Sequence, residues 1–302
     1  MKKTIKRRVQ LALPAVLLLL LLLLSGCGEN SGASEVTVVE GLLGYRHDPV
    51  SGIIVQVAGD MTFLKDCCIT QQTFELPTVF DAETRINAVG SHAFFDNDTV
   101  EHLIIPDGYL YVCMDSFVNF QNLKTVTIGK DVSLIEELAF SRCPQLCEFI
   151  ISEENTHFYT SEGCLLKKDT DTLLLSNGKI PSGTKIVGPS VFVDNQNISD
   201  MIVPDGVTEI APLAFNHSSL TSITLPASLT SLGWAAFQGC GSLQELYIPK
   251  NVTEVGENLF SMCHGITVYC EAESKPAGWS DDWLAKSENV TVVWGSTEMN
   301  IQ

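Results

Sequence analysis

The chain has 302 residues, 45% of them hydrophobic, and a formal net charge of −18. That acidity argues against nucleic acid or an anionic lipid surface as the main partner, because both repel it. The length permits one domain or two.

The first element in chain order is a targeting segment. Lys2, Lys3, Lys6, Arg7 and Arg8 form a basic start, before an uncharged, leucine-rich run from Leu11 to Leu24. Such a run suits a signal peptide and is too short for a membrane-spanning helix, which needs ~20 residues. Leu24-Ser25-Gly26-Cys27 resembles the lipobox of bacterial lipoproteins: an aliphatic residue, two small residues that fit a peptidase cleft, and a cysteine. The resemblance implies removal of residues 1–26, lipidation of Cys27 and anchoring to a bacterial membrane facing the exterior. An ordinary secretory signal cleaved near Gly26 is the alternative. Residues 27–38, small and polar after Cys27, read as a flexible tether, and 39–85 as a degenerate repeat that caps the start of the periodic region.

From residue 86 to 270 the chain is periodic. Phe94, Phe117, Phe140, Phe192, Phe215, Phe237 and Phe260 are spaced by 23, 23, 52, 23, 22 and 23 residues. Five residues before each stands an aliphatic: Val89, Val112, Ile135, Val187, Ile210, Leu232 and Val255. Eight before stand Ile86, Tyr109, Val132, Thr184, Val207, Leu229 and Val252. Downstream, each unit carries an L-x-x-I-x-I segment, such as Leu243, Leu246 and Ile248, alternating at its end as a strand does. A single unit cannot bury these residues, whereas stacked units place each column on itself and make a continuous core. At ~4.8 Å per coil, eight or so coils make a stack on the order of 40 Å long, with the phenylalanines as an internal spine.

The stretch from Val203 to Pro226, VPDGVTEIAPLAFNHSSLTSITLP, resembles the BspA-like class of leucine-rich repeats found on bacterial surface proteins. Its period, Ala-Phe pair and aliphatic-Pro junction carry the likeness, which spans about residues 76–270. Ser116 in place of Ala and Gly129 in place of Pro are local departures. The resemblance implies a right-handed solenoid of short parallel strands with short helical turns. It also implies attachment to host matrix proteins or to other cells.

The 52-residue step holds an insertion at about 152–180, which reads as a β-hairpin: Gly163 to Leu166, a polar turn, then Leu173 to Leu175. In the family such insertions imply a decoration projecting from one edge. Asp169-Thr170-Asp171 lacks the further oxygens of a calcium loop and reads as a solvated turn. The last stretch, 271–302, reads as a cap: a short helix around Trp279 and Trp283, then a strand from Val290 to Trp294. Its tryptophans suit covering the last coil better than a carbohydrate platform.

Nine cysteines lie beyond Cys27, with no CxxC pair to suggest zinc. Cys143, Cys240 and Cys263 each stand three residues after a spine phenylalanine. That column resembles the buried ladder position of leucine-rich repeats, where a small group packs or hydrogen-bonds to the turn backbone. Cys240 and Cys263 are near enough in neighbouring coils for a disulfide, but side chains running parallel in a ladder favour free thiols.

No HExxH, GxSxG, P-loop or GxGxxG pattern occurs, and the six histidines share no spacing. Neither an enzyme, a cofactor nor a metal is expected. Attention falls on the outward column between the last two apolar strand positions: Ile104, Thr127, Ile150, Ile202, Thr224 and Tyr247. Two residues earlier stand Glu148, Asp200 and Glu245, among His102, Thr125 and Ser222. A stripe of Ile and Tyr flanked by acids suits a binding face, although β-branched residues fit any exposed strand. The expected function is adhesion to an extracellular protein or glycan. A solute-capturing receptor lipoprotein and a cell-wall or glycan hydrolase are the alternatives.

Overall fold

A computed structural model describes Thr37–Val38 and residues 44–297. The leader expected from the sequence and the lipobox-like segment ending at Cys27 lie outside the described residues.

The columns stack as their periodicity demands. The residues five before each phenylalanine are all buried, and so are those eight before, where Thr184 satisfies its hydroxyl by donating to Pro181 O at 2.8 Å. Each coil passes three faces. The first carries two-residue strands of the V-x-x-I segment: Ala88–Val89, Tyr111–Val112 and Leu134–Ile135, then Ile186–Val187, Glu209–Ile210, Ser231–Leu232 and Glu254–Val255, in parallel ladders. The second carries the phenylalanines. The third carries the longer L-x-x-I-x-I strands.

The phenylalanine face departs from expectation: no helix occurs among the described residues. Helical turns begin, as in Ser141 N to Leu138 O at 3.0 Å, but cannot continue. The residue two before every spine phenylalanine has positive φ (His92, Asp115, Leu138, Ser190, Leu213, Ala235, Asn258). So does the residue two after it (Asp96, Asn119, Arg142, Asp194, His217, Gly239, Met262). Left-handed residues reverse the local twist before a second helical turn forms and turn the amides outward along the stack. Each coil then bonds the next, as in Phe215 N to Ala236 O at 2.9 Å. The rings stack in two runs, Phe94–Phe117–Phe140 with centroids 5.3 Å apart, and Phe192–Phe215–Phe237–Phe260 at 4.9, 5.5 and 5.9 Å.

The insertion explains the break between these runs. It forms three antiparallel strands, Phe158–Ser161, Cys164–Lys167 and Thr172–Leu175, the last of which pairs in parallel with Ile186–Val187. The Cys164–Lys167/Thr172–Leu175 pair is the hairpin expected from sequence. It is no edge decoration: Cys164, Leu165, Leu166 and Leu173 are fully buried. Leu165 belongs to a core running from Val55 to Phe158, whereas Cys164 and Leu166 belong to one running on to Trp283. A strand with apolar residues on both sides thus walls one core from the other.

The ends are capped differently. At the start, strands Tyr45–His47, Ile54–Ala58 and Met61–Asp66 form an antiparallel meander, and the last joins Ala88–Val89 in parallel. At the other end Trp279 makes an isolated parallel bridge with Val255 and Trp283 lies in a turn, neither in a helix; both are buried, with Trp283 edge-on to Phe260 at 6.4 Å. Trp279 Nε1 donates to Val252 O at 3.0 Å, so these rings cover the last coil instead of forming an open platform.

The meander supplies one acid-sensitive group. Burial pushes the Asp66 carboxyl up to about 6, partly opposed by the Cys67 N–H it accepts at 2.8 Å. The fold therefore favours the protonated acid. This contribution is fully present below the unfolded value of about 3.9 and is lost as pH rises through about 6. Urea midpoints from pH 4 to 7 should fall for the natural chain relative to Asp66→Asn. Parallel curves for the two proteins would contradict this assignment.

Candidate binding face

The third face is built from Thr73–Glu75, His102–Ile105, Thr125–Ile128 and Glu148–Ile151 in one parallel sheet. Asp200–Ile202 and Ser222–Thr224 form a second, and Glu245–Ile248, Thr267–Cys270 and Thr291–Trp294 a third. Alternation along each strand turns one apolar set inward, such as Leu103 and Ile105, and leaves the residue between on the outer surface.

The candidate residues fall into register. Thr127 pairs with Ile104 on one side and Ile150 on the other, Ile202 pairs with Thr224, and Tyr247 opposes Tyr269. Ile202 is 75% exposed and Ile150 48% exposed, large values for isoleucine. Glu148 opposes Thr125 one column over, and Asp200 opposes Ser222. Ser222 Oγ donates to Asp200 Oδ1 at 2.6 Å and Ser199 Oγ to Oδ2 at 3.1 Å, holding that carboxyl below its ordinary range and ionised. Glu245 is exposed opposite Thr267. The stripe is therefore real as a column, but it lies on three separate sheets. The strands bearing Ile150 and Ile202 are not paired with one another.

Sequence columns missed several members. Glu75 extends the column before Ile104, and Tyr269 and Val293 extend it beyond Tyr247. The strands of Glu75 and Val293 fall outside the phenylalanine-anchored units, and Tyr269 stands nine residues after Phe260 where Tyr247 stands ten after Phe237, so the column lost its register there. The phenylalanine face also exposes Phe95, Met114, Trp234 and Met262. These stand one to three residues from a spine phenylalanine, in columns of mixed composition that offered no signal.

The ladder thiols are free and act as donors. Cys240 Sγ contacts Phe215 O at 3.0 Å and Cys263 Sγ contacts Phe237 O at 3.2 Å, each reaching the preceding coil. Asn97, in the same column, instead accepts from Thr99 and Val100 N–H at 3.0 and 2.8 Å. Burial raises the Cys240 thiol to about 11, which keeps it protonated and poorly nucleophilic. Among the described residues no group of three or more His, Cys, Asp or Glu is placed to hold a metal ion. Asp171 accepts from Tyr159 Oη at 2.9 Å and Asp169 pairs with Lys167 at 3.4 Å, so that turn is tied internally.

A family model described as the BspA type leucine rich repeat region, in 6 copies, matches residues 65–166 and 170–275. Among solved structures, the pneumococcal vaccine antigen PcpA is similar with a TM-score of 0.51 at 17% identity, over 89% of this chain and 91% of that one. A leucine rich cell surface protein from Faecalibacterium prausnitzii aligns at 14% identity and TM-score 0.47, over 90% of this chain and 100% of that one. A leucine-rich repeat protein from Bacteroides ovatus aligns at 15% identity and TM-score 0.43, over 80% and 70%. At these identities the likeness to PcpA is one of fold. No curated protein matches the chain.

Proposed function

The chain belongs to the BspA-type leucine-rich repeat family, and on that premise we propose that it is an exported binding protein that attaches to an extracellular protein or glycan. The observation carrying this reading is the registered outer column, with Ile150 and Ile202 exposed beside the acids Glu148 and Asp200. A flat row of apolar side chains bordered by charge suits recognition of an extended surface. We read the chain as no enzyme, a reading that its place in a repeat family supports. The lipobox at Leu24 to Cys27 supports anchoring at Cys27, with the solenoid held outside the membrane by the tether. An acidic solenoid so placed stays soluble and avoids nucleic acid.

The test is binding of the full chain to an array of extracellular-matrix proteins and glycans. A saturable partner should lose about tenfold or more in affinity with Ile150→Asp or Tyr247→Ala, a loss of ~1.4 kcal/mol. A partner bound equally well by both variants and the natural chain would remove the stripe from the account.

A further inference from the structure

Along the phenylalanine face, neighbouring coils are joined by one repeated set of bonds. Within each run, the N–H groups of the spine phenylalanine and of the residues two before and two after it donate to carbonyls of the next coil, Asp115 excepted. Ser190, Phe192 and Asp194 donate to Pro212, Ala214 and Asn216 at 3.3, 2.8 and 2.9 Å. Ala235, Phe237 and Gly239 donate to Glu257, Leu259 and Ser261 at 2.9, 3.1 and 2.8 Å.

Between the coil of Phe140 and that of Phe192 the set is missing. Among the described residues, the N–H groups of Leu138, Phe140 and Arg142 meet no carbonyl, and the carbonyls of Pro189, Val191 and Val193 receive no backbone N–H. The ring stack is interrupted at the same step, with no ring contact between Phe140 and Phe192. The cause is the insertion, which places three strands on the first face between Leu134–Ile135 and Ile186–Val187, where other steps place none.

A cleft of about 450 Å³ lies between the two lips, lined by Leu146, Phe149, Leu174, Leu175 and Val191 among others. Leu146 is partly uncovered, although its counterparts Leu123, Ile198, Leu220 and Leu243 are buried. Two contacts cross the opening: Arg142 Nη2 to Asp194 Oδ2 at 3.5 Å, and Ser190 Oγ to Glu137 Oε2 at 3.4 Å. The Arg142–Asp194 pair is exposed and weak in water. Those two residues are also the only charges lining the cleft, and they offset one another.

We propose that this cleft receives one segment of a partner polypeptide, uncharged and carrying an aromatic side chain, folded as the turns of this face are and in the same chain direction as the coils. The backbone argument fixes the class of occupant. Donors on alternate residues face acceptors on alternate residues, and another main chain supplies both sets at that spacing, displacing water. The broken ring stack and apolar lining fix the aromatic side chain. The two lining charges, Arg142 and Asp194, offset one another and favour an uncharged segment, with the acid Glu137 outside the lining at the opening. This is a site separate from the stripe on the third face, and it adds coil completion to surface adhesion.

The probe is an end-blocked, fluorescent peptide of this chain's own coil, residues 211–219, APLAFNHSS, titrated into the full chain in mild detergent. Saturable binding is expected, with hydrogen exchange at the Leu138, Phe140 and Arg142 amides slowed about tenfold or more. Replacing the peptide's phenylalanine by alanine, or methylating the N–H of that residue, should each weaken binding about tenfold or more. Both changes sit in the peptide, so the protein's own fold is untouched. No binding up to about 1 mM would overturn the proposal. So would binding indifferent to both changes, or slowed exchange at the last coil, Asn258 to Met262, instead of the cleft.

Discussion

Phe237→Ala is expected to lower the unfolding free energy by about 3–5 kcal/mol, among the larger effects of any single truncation in the chain. Phe237 is fully buried, and its ring lies between Phe215 at 5.5 Å and Phe260 at 5.9 Å, nearly parallel to both. Truncation removes ring contacts on two sides and leaves a cavity that the stiff coil ladders cannot collapse. In a solenoid, stability is close to a sum of coil and neighbour terms, so the loss spreads to both adjoining coils. Phe140 supplies the internal comparison, because in the ring stack it has only Phe117, with Phe149 edge-on at 6.4 Å, and it faces the cleft on its other side. Phe140→Ala should therefore cost less, nearer the lower end of that range. Urea denaturation monitored by circular dichroism measures both. Equal losses would mean that the ring stack is not what couples the coils.

Leu165→Ala should cost about 2–5 kcal/mol and should also change the shape of the transition. Leu165 is fully buried on the middle strand of the insertion, facing the first core, while Cys164 and Leu166 face the second. That strand is the shared wall, and the phenylalanine-face bonds that join other coils are missing beside it. Weakening the wall from one side should let the Val55–Phe158 core melt before its neighbour, giving two steps where the natural chain gives one. Calorimetry of the two proteins decides it. A single transition, merely shifted, would show that the cores are coupled elsewhere.

How much of the fold was legible in the sequence depends on which interactions are periodic. The columns at the phenylalanines and at five and eight residues before them are set by burial in every coil, so composition repeats and the core could be read directly. The outer column from Ile104 to Tyr247 was legible for the same reason, since strand alternation assigns its side once the inner positions are known. Turn geometry was not legible. The left-handed positions hold residues as unlike as Leu213, Asn258, Arg142 and Gly239, because the cross-coil bonds impose the conformation and local propensity does not choose it. That is why helical turns were expected where only single turns form, with no helix among the described residues.

The insertion shows the other limit. Its hairpin could be read from Leu165–Leu166 and Leu173–Leu175 flanking a polar turn, but its burial could not. An apolar strand at an edge and one between two cores have the same sequence, and only the second leaves a gap in the adjoining ladder. The exposed Phe95, Trp234 and Met262 lie in columns with no common chemistry, so a rival apolar surface on the phenylalanine face also stayed hidden.

That rival surface gives the most direct test of the central claim, that the third face carries the partner. Two triple variants of the full chain are compared for binding to the partner found on the array: Ile150→Asp with Ile202→Asp and Tyr247→Ala, and Phe95→Asp with Trp234→Asp and Met262→Asp. Melting temperatures are checked first, so that only folded proteins are compared. The account predicts that the first variant loses about a hundredfold or more in affinity, roughly 2.7 kcal/mol, while the second binds within about threefold of the natural chain. Loss by the second variant with binding kept by the first would contradict it, and would move the site to the phenylalanine face.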